Sequence, residues 1–218
     1  MAQKDFFVFD DLFGNSGVQR VELIELEDGE ILWVKHYYTP DQAGALFSQL
    51  YQQVPWRQDQ IRIAGKMTSL PRLQAWFADP GIHYGYSGIA MEPLPWIDCL
   101  RTIKQNLEAY SDNHFNSVLA NLYRNQHDSV SWHADNETEL GTNPTIASLS
   151  LGGTREFQLK HRLHPSKKLK IPMQSGDLMI MKGGLQHHWL HQIPKSKTPS
   201  EPRINLTFRR ILDTGSSK

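Results

Sequence analysis

Apolar and polar positions follow three different rhythms along this chain. Over residues 18–38 the period approximates two. Val21, Leu23 and Ile24-Glu25-Leu26 lead into Asp28-Gly29, a favoured tight-turn pair, and Ile31-Leu32-Trp33-Val34 returns, which predicts a β-hairpin. The rhythm then becomes helical. Thr39 is a good N-cap, Pro40 fits a first turn, and Gln42 completes a capping box, while Ala43, Leu46, Leu50 and Val54 form one apolar stripe ended by Pro55. A second helix is predicted from about Trp96 to Tyr110, with Ile97, Leu100, Ile103 and Leu107 on one face and Pro95 at its start.

From Asn116 onward the texture changes to short β-like runs separated by Gly, Pro, Asn and Asp. They cover 117–124, 129–133, 145–151, 155–160, 177–181, 187–193 and 203–211. Strands this short and closely spaced predict a sandwich or jelly roll, with the two helices packed on one outer face. The last run alternates without a break: Ile204, Leu206 and Phe208 on one side, Arg203, Asn205, Thr207 and Arg209 on the other. No internal repeat is present, and residues 213–218 read as a disordered tail.

Composition narrows the class. With 218 residues, 39% hydrophobic and 21% charged, the chain has the make-up of a soluble globule with one well-buried domain. The single cysteine, Cys99, excludes an internal disulfide framework and any multi-cysteine metal site; inside the second helix it reads as structural. The N-terminal apolar run is only four residues, too short for a signal peptide, and no stretch approaches the roughly 18 apolar residues of a membrane span. A soluble cytoplasmic protein with no membrane partner is expected, nucleoid-associated in a bacterium or nuclear in a eukaryote.

Charge adds a second layer. Lys plus Arg equals Asp plus Glu at 23 each, which argues against binding nucleic acid through bulk charge alone. The balance is uneven, however: residues 1–30 carry two basic and eight acidic side chains, residues 155–218 thirteen and four. Lys160, Arg162, Lys167, Lys168 and Lys170 form the densest basic cluster, which reads either as a solvated Lys-rich hairpin or as a phosphate-facing edge.

The chemistry centres on His133-Ala134-Asp135. On extended backbone, residues two apart point the same way, so an imidazole and a carboxylate converge. A third ligand from a distant strand would complete a two-histidine, one-carboxylate face with open coordination positions, the arrangement of non-haem Fe(II) oxygenases. His187, His188 and His191 are all candidates, and spacing does not choose among them. The row Arg203, Asn205, Thr207, Arg209 offers donors suited to a dicarboxylate, because Arg binds carboxylate in a bidentate fork. Asn121 and Tyr123, two apart on a predicted strand, could hydrogen-bond from the opposite wall. Iron beside a dicarboxylate cradle points to 2-oxoglutarate and O₂ as cofactor and co-substrate.

From about Ile63 to Leu212 the sequence also resembles the AlkB family of nucleic-acid dealkylases, most closely its branch acting on duplex DNA. The strings that carry the resemblance are Gly65-Lys66, Pro71-Arg72, Tyr84-Gly85-Tyr86-Ser87-Gly88, Pro95-Trp96-Ile97, Asn121-Leu122-Tyr123, His133-Ala134-Asp135, Ile146-Ala147-Ser148, Trp189-Leu190-His191 and Pro202 through Arg209. The resemblance implies a mainly β, α+β fold: a double-stranded β-helix jelly roll with N-terminal helices and a lesion-recognition lid. On that reading residues 1–38 form an N-terminal extension with a hairpin, and 39–212 form one dioxygenase domain with its lid at about 61–92 and its core at about 115–212.

It further implies His133, Asp135 and His191 as ligands of Fe(II), with no catalytic group beyond them. Asn121, Tyr123, Arg203, Asn205, Thr207 and Arg209 would hold 2-oxoglutarate. Lys66, Arg72, Tyr84, Gly85, Tyr86, Ser87, Asn136 and Glu137 would meet the substrate, alkylated DNA carrying 1-methyladenine or 3-methylcytosine. Both lesions are cations, which an aromatic face and nearby carboxylates would favour. One departure concerns strand choice. The duplex-acting branch has an aromatic wedge before its Gly-Lys, where this chain has Ala64, so single-stranded or locally open DNA is expected to be preferred, by a monomeric enzyme. Two other readings keep part of this pattern: a sister 2-oxoglutarate oxygenase acting on RNA, protein or a small molecule, and a non-catalytic jelly-roll binding module.

Overall fold

At the first turn Asp28 takes a positive φ of 64° and Gly29 packs where a Cβ would sit 2.8 Å from that of Leu185. This turn joins β1 (Arg20–Leu26) to β2 (Gly29–Lys35) as the expected antiparallel hairpin, but Leu26 pairs with Gly29, so the turn residues are Glu27 and Asp28, one earlier than the Asp28-Gly29 pair suggests. A computed structural model describes residues 20–212 except 64, 83, 87 and 88, and gives the backbone alone for 63, 84–86 and 89–91. Ala64, Ser87 and Gly88, and the tail at 213–218, lie outside the described residues.

Helix α1 (Pro40–Gln53) is built as its sequence dictates. The Thr39 side chain accepts from the Gln42 amide, the Gln42 side chain accepts from the Thr39 amide, and Leu50 is fully buried. Helix α2 (Asp98–Ser111) starts two residues later than expected, with Asp98 in its first turn, and buries Cys99, Leu100, Ile103 and Leu107. Between the helices lie β3 (Gln60–Ile63) and β4 (Lys66–Ser69), which pair with each other, β5 (Leu73–Ala78), and the pair β6 (Tyr84–Tyr86) and β7 (Ile89–Met91). Then follow β8 (Ser117–Tyr123), β9 (Val130–His133), β10 (Ile146–Gly152), β11 (Arg155–His161), β12 (Lys168–Met173), β13 (Leu178–Lys182), the short α3 (Leu185–His188), β14 (Trp189–Ile193) and β15 (Arg203–Arg209).

The strands make a seven-stranded sheet, ordered β1-β2-β13-β10-β15-β8-β5, and a four-stranded sheet, β12-β11-β14-β9, with every pair antiparallel. Three apolar clusters make up the core of the described residues, the smallest around Trp76, Leu119, Leu140 and Ile211. Of the larger two, one packs α1 and α2 on the large sheet through Leu50, Leu100, Leu107, Leu206 and Phe208; the other lies between the two sheets and includes Trp33, Phe157, Met179 and Trp189. This is the jelly roll the strand spacing predicts, with helices on one outer face.

Four features differ from the pattern-based reading, each for a physical reason. The first hairpin does not stand apart as an extension, because β2 pairs along its length with β13. The buried Asp177 carboxylate reinforces that junction, accepting from the Trp33 indole at 3.2 Å and the His36 amide at 2.9 Å. Strand β5, inside the range expected for the lid, pairs with β8 at the edge of the large sheet. Strand β12 is hidden in the sequence because only Ile171 and Met173 of its residues are buried, while Lys168, Lys170 and Pro172 face out. Finally, the run expected from 187 begins as α3 and becomes strand only at Trp189.

Candidate metal and dicarboxylate site

Both faces of β15 are buried. Its apolar side chains meet the helices, and its polar ones enter the space between the sheets, where each hydrogen-bonding group needs a partner. Across that space β9 and β14 pair with His133 directly opposite His191. The two rings stand 4.2 Å apart at 59°, and Asp135, just beyond the end of β9, completes a cluster whose ligand atoms all lie within 4.8 Å of one another.

Each member is held from behind. The Nδ1 of His133 is 2.8 Å from the Ser131 carbonyl, so as a donor there it leaves the Nε2 lone pair to face the cluster. Phe157 stacks on His191 at 5.3 Å. The amide of Asp135 donates to Gln186 Oε1 at 3.0 Å, and Arg209 Nη2 donates to Asp135 Oδ2 at 2.8 Å, both charges buried. Burial alone would raise the Asp135 pKa, but Arg209, His191 and His133 outweigh it and bring it down to about 2. Burial pulls His191 down to about 3, reinforced by His133 and Arg209, and it lowers His133 as well. The set is therefore two neutral imidazoles and one ionised carboxylate, the protonation state that binds a divalent metal.

The other two candidate histidines go elsewhere. His187 Nε2 lies 3.4 Å from the Asn143 amide, and His188 joins His161 and Asp28 in a second group. In that group His161 Nδ1 accepts from the amides of Leu163 and His164, which puts the proton of a neutral ring on Nε2, 3.7 Å from Asp28. His161 thus fastens a turn and offers no lone pair to a metal.

Arg203 supplies the dicarboxylate test. It is 1% exposed, donates through Nη2 to Ser150 Oγ at 2.7 Å and lies 5.3 Å from the Tyr123 ring, while its Nε and Nη1 meet no hydrogen-bond partner. Burial pulls its pKa down to about 10. A buried guanidinium with open donors is costly on its own and suits an anion brought by a ligand. The Asp135 Oδ1 beside the two imidazoles likewise meets no partner. Residues and groups fit: a divalent metal at His133, Asp135 and His191, and a diacid reaching toward Arg203.

Among the other expected cofactor residues, Asn121, Tyr123, Asn205 and Arg209 line one narrow cavity with His133 and His191. Asn205 spends both amide hydrogens, on Ser148 Oγ at 2.9 Å and the Leu149 carbonyl at 3.1 Å, so it braces β10 and cannot donate to a carboxylate. Thr207 is buried on the same polar face. Arg209 is engaged with Asp135, whereas Arg203 keeps Nε and Nη1 without a hydrogen-bond partner. Sequence reasoning missed Ser148 and Ser150, which orient Asn205 and Arg203; their alternation with Leu149 and Leu151 on β10 was the available signal. It also missed Gln186 and Phe157, which carried none.

The expected substrate residues are spread more widely. Lys66 is exposed on β4, Asn136 is exposed and Glu137 half-buried just past Asp135, and Tyr84, Gly85 and Tyr86 form β6. Ser87 lies outside the described residues. Arg72 is not at the surface: it is buried in the cavity wall. The basic cluster is partly neutralised within the protein, since Lys167 pairs with Glu27, Lys170 with Glu156 at 3.2 Å, and Lys160 sits 4.3 Å over the Trp132 ring.

Residues 30–209 match the family model described as the 2OG-Fe(II) oxygenase superfamily. The human alpha-ketoglutarate-dependent dioxygenase alkB homolog 3 is 40% identical over 205 residues, covering 89% of this chain and 71% of its own length. Its cattle counterpart is 43% identical over 180 residues, but the match spans only 62% of that protein. Human DNA oxidative demethylase ALKBH2 is 34% identical over 183 residues, 79% of this chain and 70% of its own. Among solved structures, OsALKBH1 superposes with a TM-score of 0.58 at 17% identity, covering 86% of this chain and 99% of that one. A Pseudomonas putida prolyl-4-hydroxylase superposes at 0.55 and 13%, covering 83% and 92%. These two likenesses concern the fold.

Proposed function

The chain belongs to the 2OG-Fe(II) oxygenase superfamily, among the AlkB-type dioxygenases, and from that footing we propose that it removes alkyl groups oxidatively from base nitrogens in DNA. The substrates in this reading are 1-methyladenine and 3-methylcytosine, and the biological role is direct-reversal repair. Its strongest structural support is the buried Arg203 with open donors on the polar face of β15, set against Tyr123, which lines the cavity that also holds His133 and His191. The nucleic-acid half rests on the relatives, one of which is named a DNA oxidative demethylase.

Fe(II) with 2-oxoglutarate and O₂ supplies, when bound, the power to hydroxylate an N-alkyl group, which leaves as formaldehyde while succinate and CO₂ form. The protein's own residues prepare for this. His133, Asp135 and His191 would hold the metal, and Arg209 keeps Asp135 ionised and aimed. Arg203, steadied by Ser150, would take the far carboxylate of the diacid. Asn121 and Tyr123 extend the wall of β15 and do not face it, because β8 pairs beside β15 with Asn121 level with Asn205 and Tyr123 level with Arg203. A target methyl inside a duplex is out of reach, so the base must be extruded or already unpaired. Tyr84 and Tyr86 are assigned to the flipped base by resemblance, and a carboxylate at Glu137, two residues past Asp135, would favour a cationic lesion over a neutral base.

A monomer that prefers single-stranded or locally open DNA is part of the same proposal, the strand preference resting on Ala64. No helix among the described residues is long and apolar enough to cross a membrane, and a cytoplasmic or nuclear site of action fits a DNA substrate. The test is an anaerobic Fe(II) and 2-oxoglutarate titration, then measurement of formaldehyde from single-stranded DNA and RNA oligonucleotides carrying each lesion. Formaldehyde from DNA supports the proposal. Release from RNA alone makes the protein an RNA demethylase. Cofactor binding with no release from either redirects the search to protein or small-molecule substrates.

A further inference from the structure

Arg72 begins the turn into β5, within the segment whose sequence resemblance assigns it to the nucleic-acid side. Its side chain points the other way. It is 4% exposed, its Nε donates to Asn121 Oδ1 at 2.8 Å, and its Nη1 lies 3.5 Å from the Ser129 carbonyl. The neighbouring backbone is fastened to the same loop, because the Ser129 amide donates to the Pro71 carbonyl at 2.8 Å. A guanidinium has only donors, so Asn121 is obliged to turn its oxygen toward Arg72. The amide NH₂ is then what Asn121 can offer to the cavity it lines. A charge-assisted bond on the oxygen also polarises the amide and strengthens those N–H groups as donors.

We infer that Arg72 is a positioning residue for the cofactor rather than a nucleic-acid contact: it locks the Asn121 amide with its donors toward 2-oxoglutarate. This rests on the proposed function, because it presumes that the diacid occupies the cavity. It also gives the segment that carries the exposed Lys66 a mechanical link to the cofactor wall, through Leu70, Pro71 and Arg72. No other assigned residue makes that link among the described contacts.

The experiment uses the full chain under anaerobic conditions with Fe(II), reading 2-oxoglutarate affinity from the absorbance of the metal–2-oxoglutarate complex and oligonucleotide affinity from fluorescence anisotropy. Arg72→Met is expected to weaken 2-oxoglutarate binding about tenfold, the loss of one hydrogen bond to a charged group. Metal and oligonucleotide affinity should stay within about twofold. Asn121→Ala should weaken 2-oxoglutarate similarly, and the double variant should be no worse than either single one. Arg72→Lys, which keeps the charge and one donor, is expected to recover part of the affinity and serves if the Met variant fails to fold. Unchanged 2-oxoglutarate affinity with weakened oligonucleotide binding, or additive losses in the double variant, would overturn the inference. A wild-type protein that binds no 2-oxoglutarate would instead overturn the proposed function.

Discussion

His133 and His191 are direct cross-strand partners on β9 and β14, their rings 4.2 Å apart. Fifty-eight positions separate them in sequence, yet sheet register alone places the two imidazoles side by side. Metal ligation therefore depends on the pairing of these strands, and each ligand can be tested separately from the fold.

His133→Ala removes a half-exposed ring and should abolish turnover with little change in thermal stability. Asp135→Ala should abolish turnover as well, but it removes the carboxylate from a buried ion pair with Arg209, at a cost of about 3–5 kcal/mol. Paired melting curves and formaldehyde assays check both. Retained activity in either variant would refute the assigned ligand set, and equal stability would refute the buried pair.

Arg203→Met should raise the Kd for 2-oxoglutarate about 10- to 100-fold, since a charged bidentate contact is lost, and leave metal affinity nearly unchanged. Ser150→Ala, which removes one bond to that guanidinium, should show a smaller rise in the same direction. Isothermal titration with 2-oxoglutarate gives both values. A Ser150→Ala effect larger than that of Arg203→Met would reverse their assigned roles.

Protonation of the metal-free protein should follow the depressed histidines. An unfolded histidine takes up a proton near its ordinary value of about 6.5, whereas His133 and His191 resist it when folded, the latter down to about 3. The unfolded state then binds more protons, so their contribution to stability falls as pH drops below about 6.5 and continues to fall toward the folded values. Urea melts at pH 7.5 and 5 should show this loss, reduced in His191→Gln. An identical pH slope in that variant would contradict it.

Strand choice offers a gain-of-function test. Ala64→Phe should raise activity on duplex DNA relative to single-stranded DNA, because an apolar wedge offsets the cost of unstacking. The comparison is formaldehyde yield from matched oligonucleotides in both forms. A ratio unchanged by the substitution would remove Ala64 as the determinant.

Much of this architecture was legible in the sequence because local rules and tertiary packing agree. Thr39 and Gln42 make the capping box their spacing announces, and the unbroken alternation of β15 divides its side chains between helices and site. What was hidden is where polar atoms spend their hydrogen bonds. Alternation places Asn205 on the polar face but cannot show that Ser148 and Leu149 consume both its amide hydrogens. Nor can a Pro-Arg string show that Arg72 turns inward to Asn121 rather than outward to a phosphate. Spacing left three histidines equivalent; the family resemblance pointed to His191, and the register of β14 against β9 brings that ring opposite His133.

The seam between β2 and β13 has a consequence for the order of assembly. The first hairpin is synthesised early, but the strand it must join comes nearly 150 residues later, along with Asp177, which fastens Trp33 and His36. Until then β2 carries an unsatisfied edge bearing Ile31, Trp33 and Val34, an exposure that favours aggregation of incomplete chains. Contacts this distant also slow folding, since the closing of long loops precedes any gain from pairing. The edge of β2 can be covered only once β13 has been made, so a chain truncated before Leu178 should collapse without a stable partner for its own beginning.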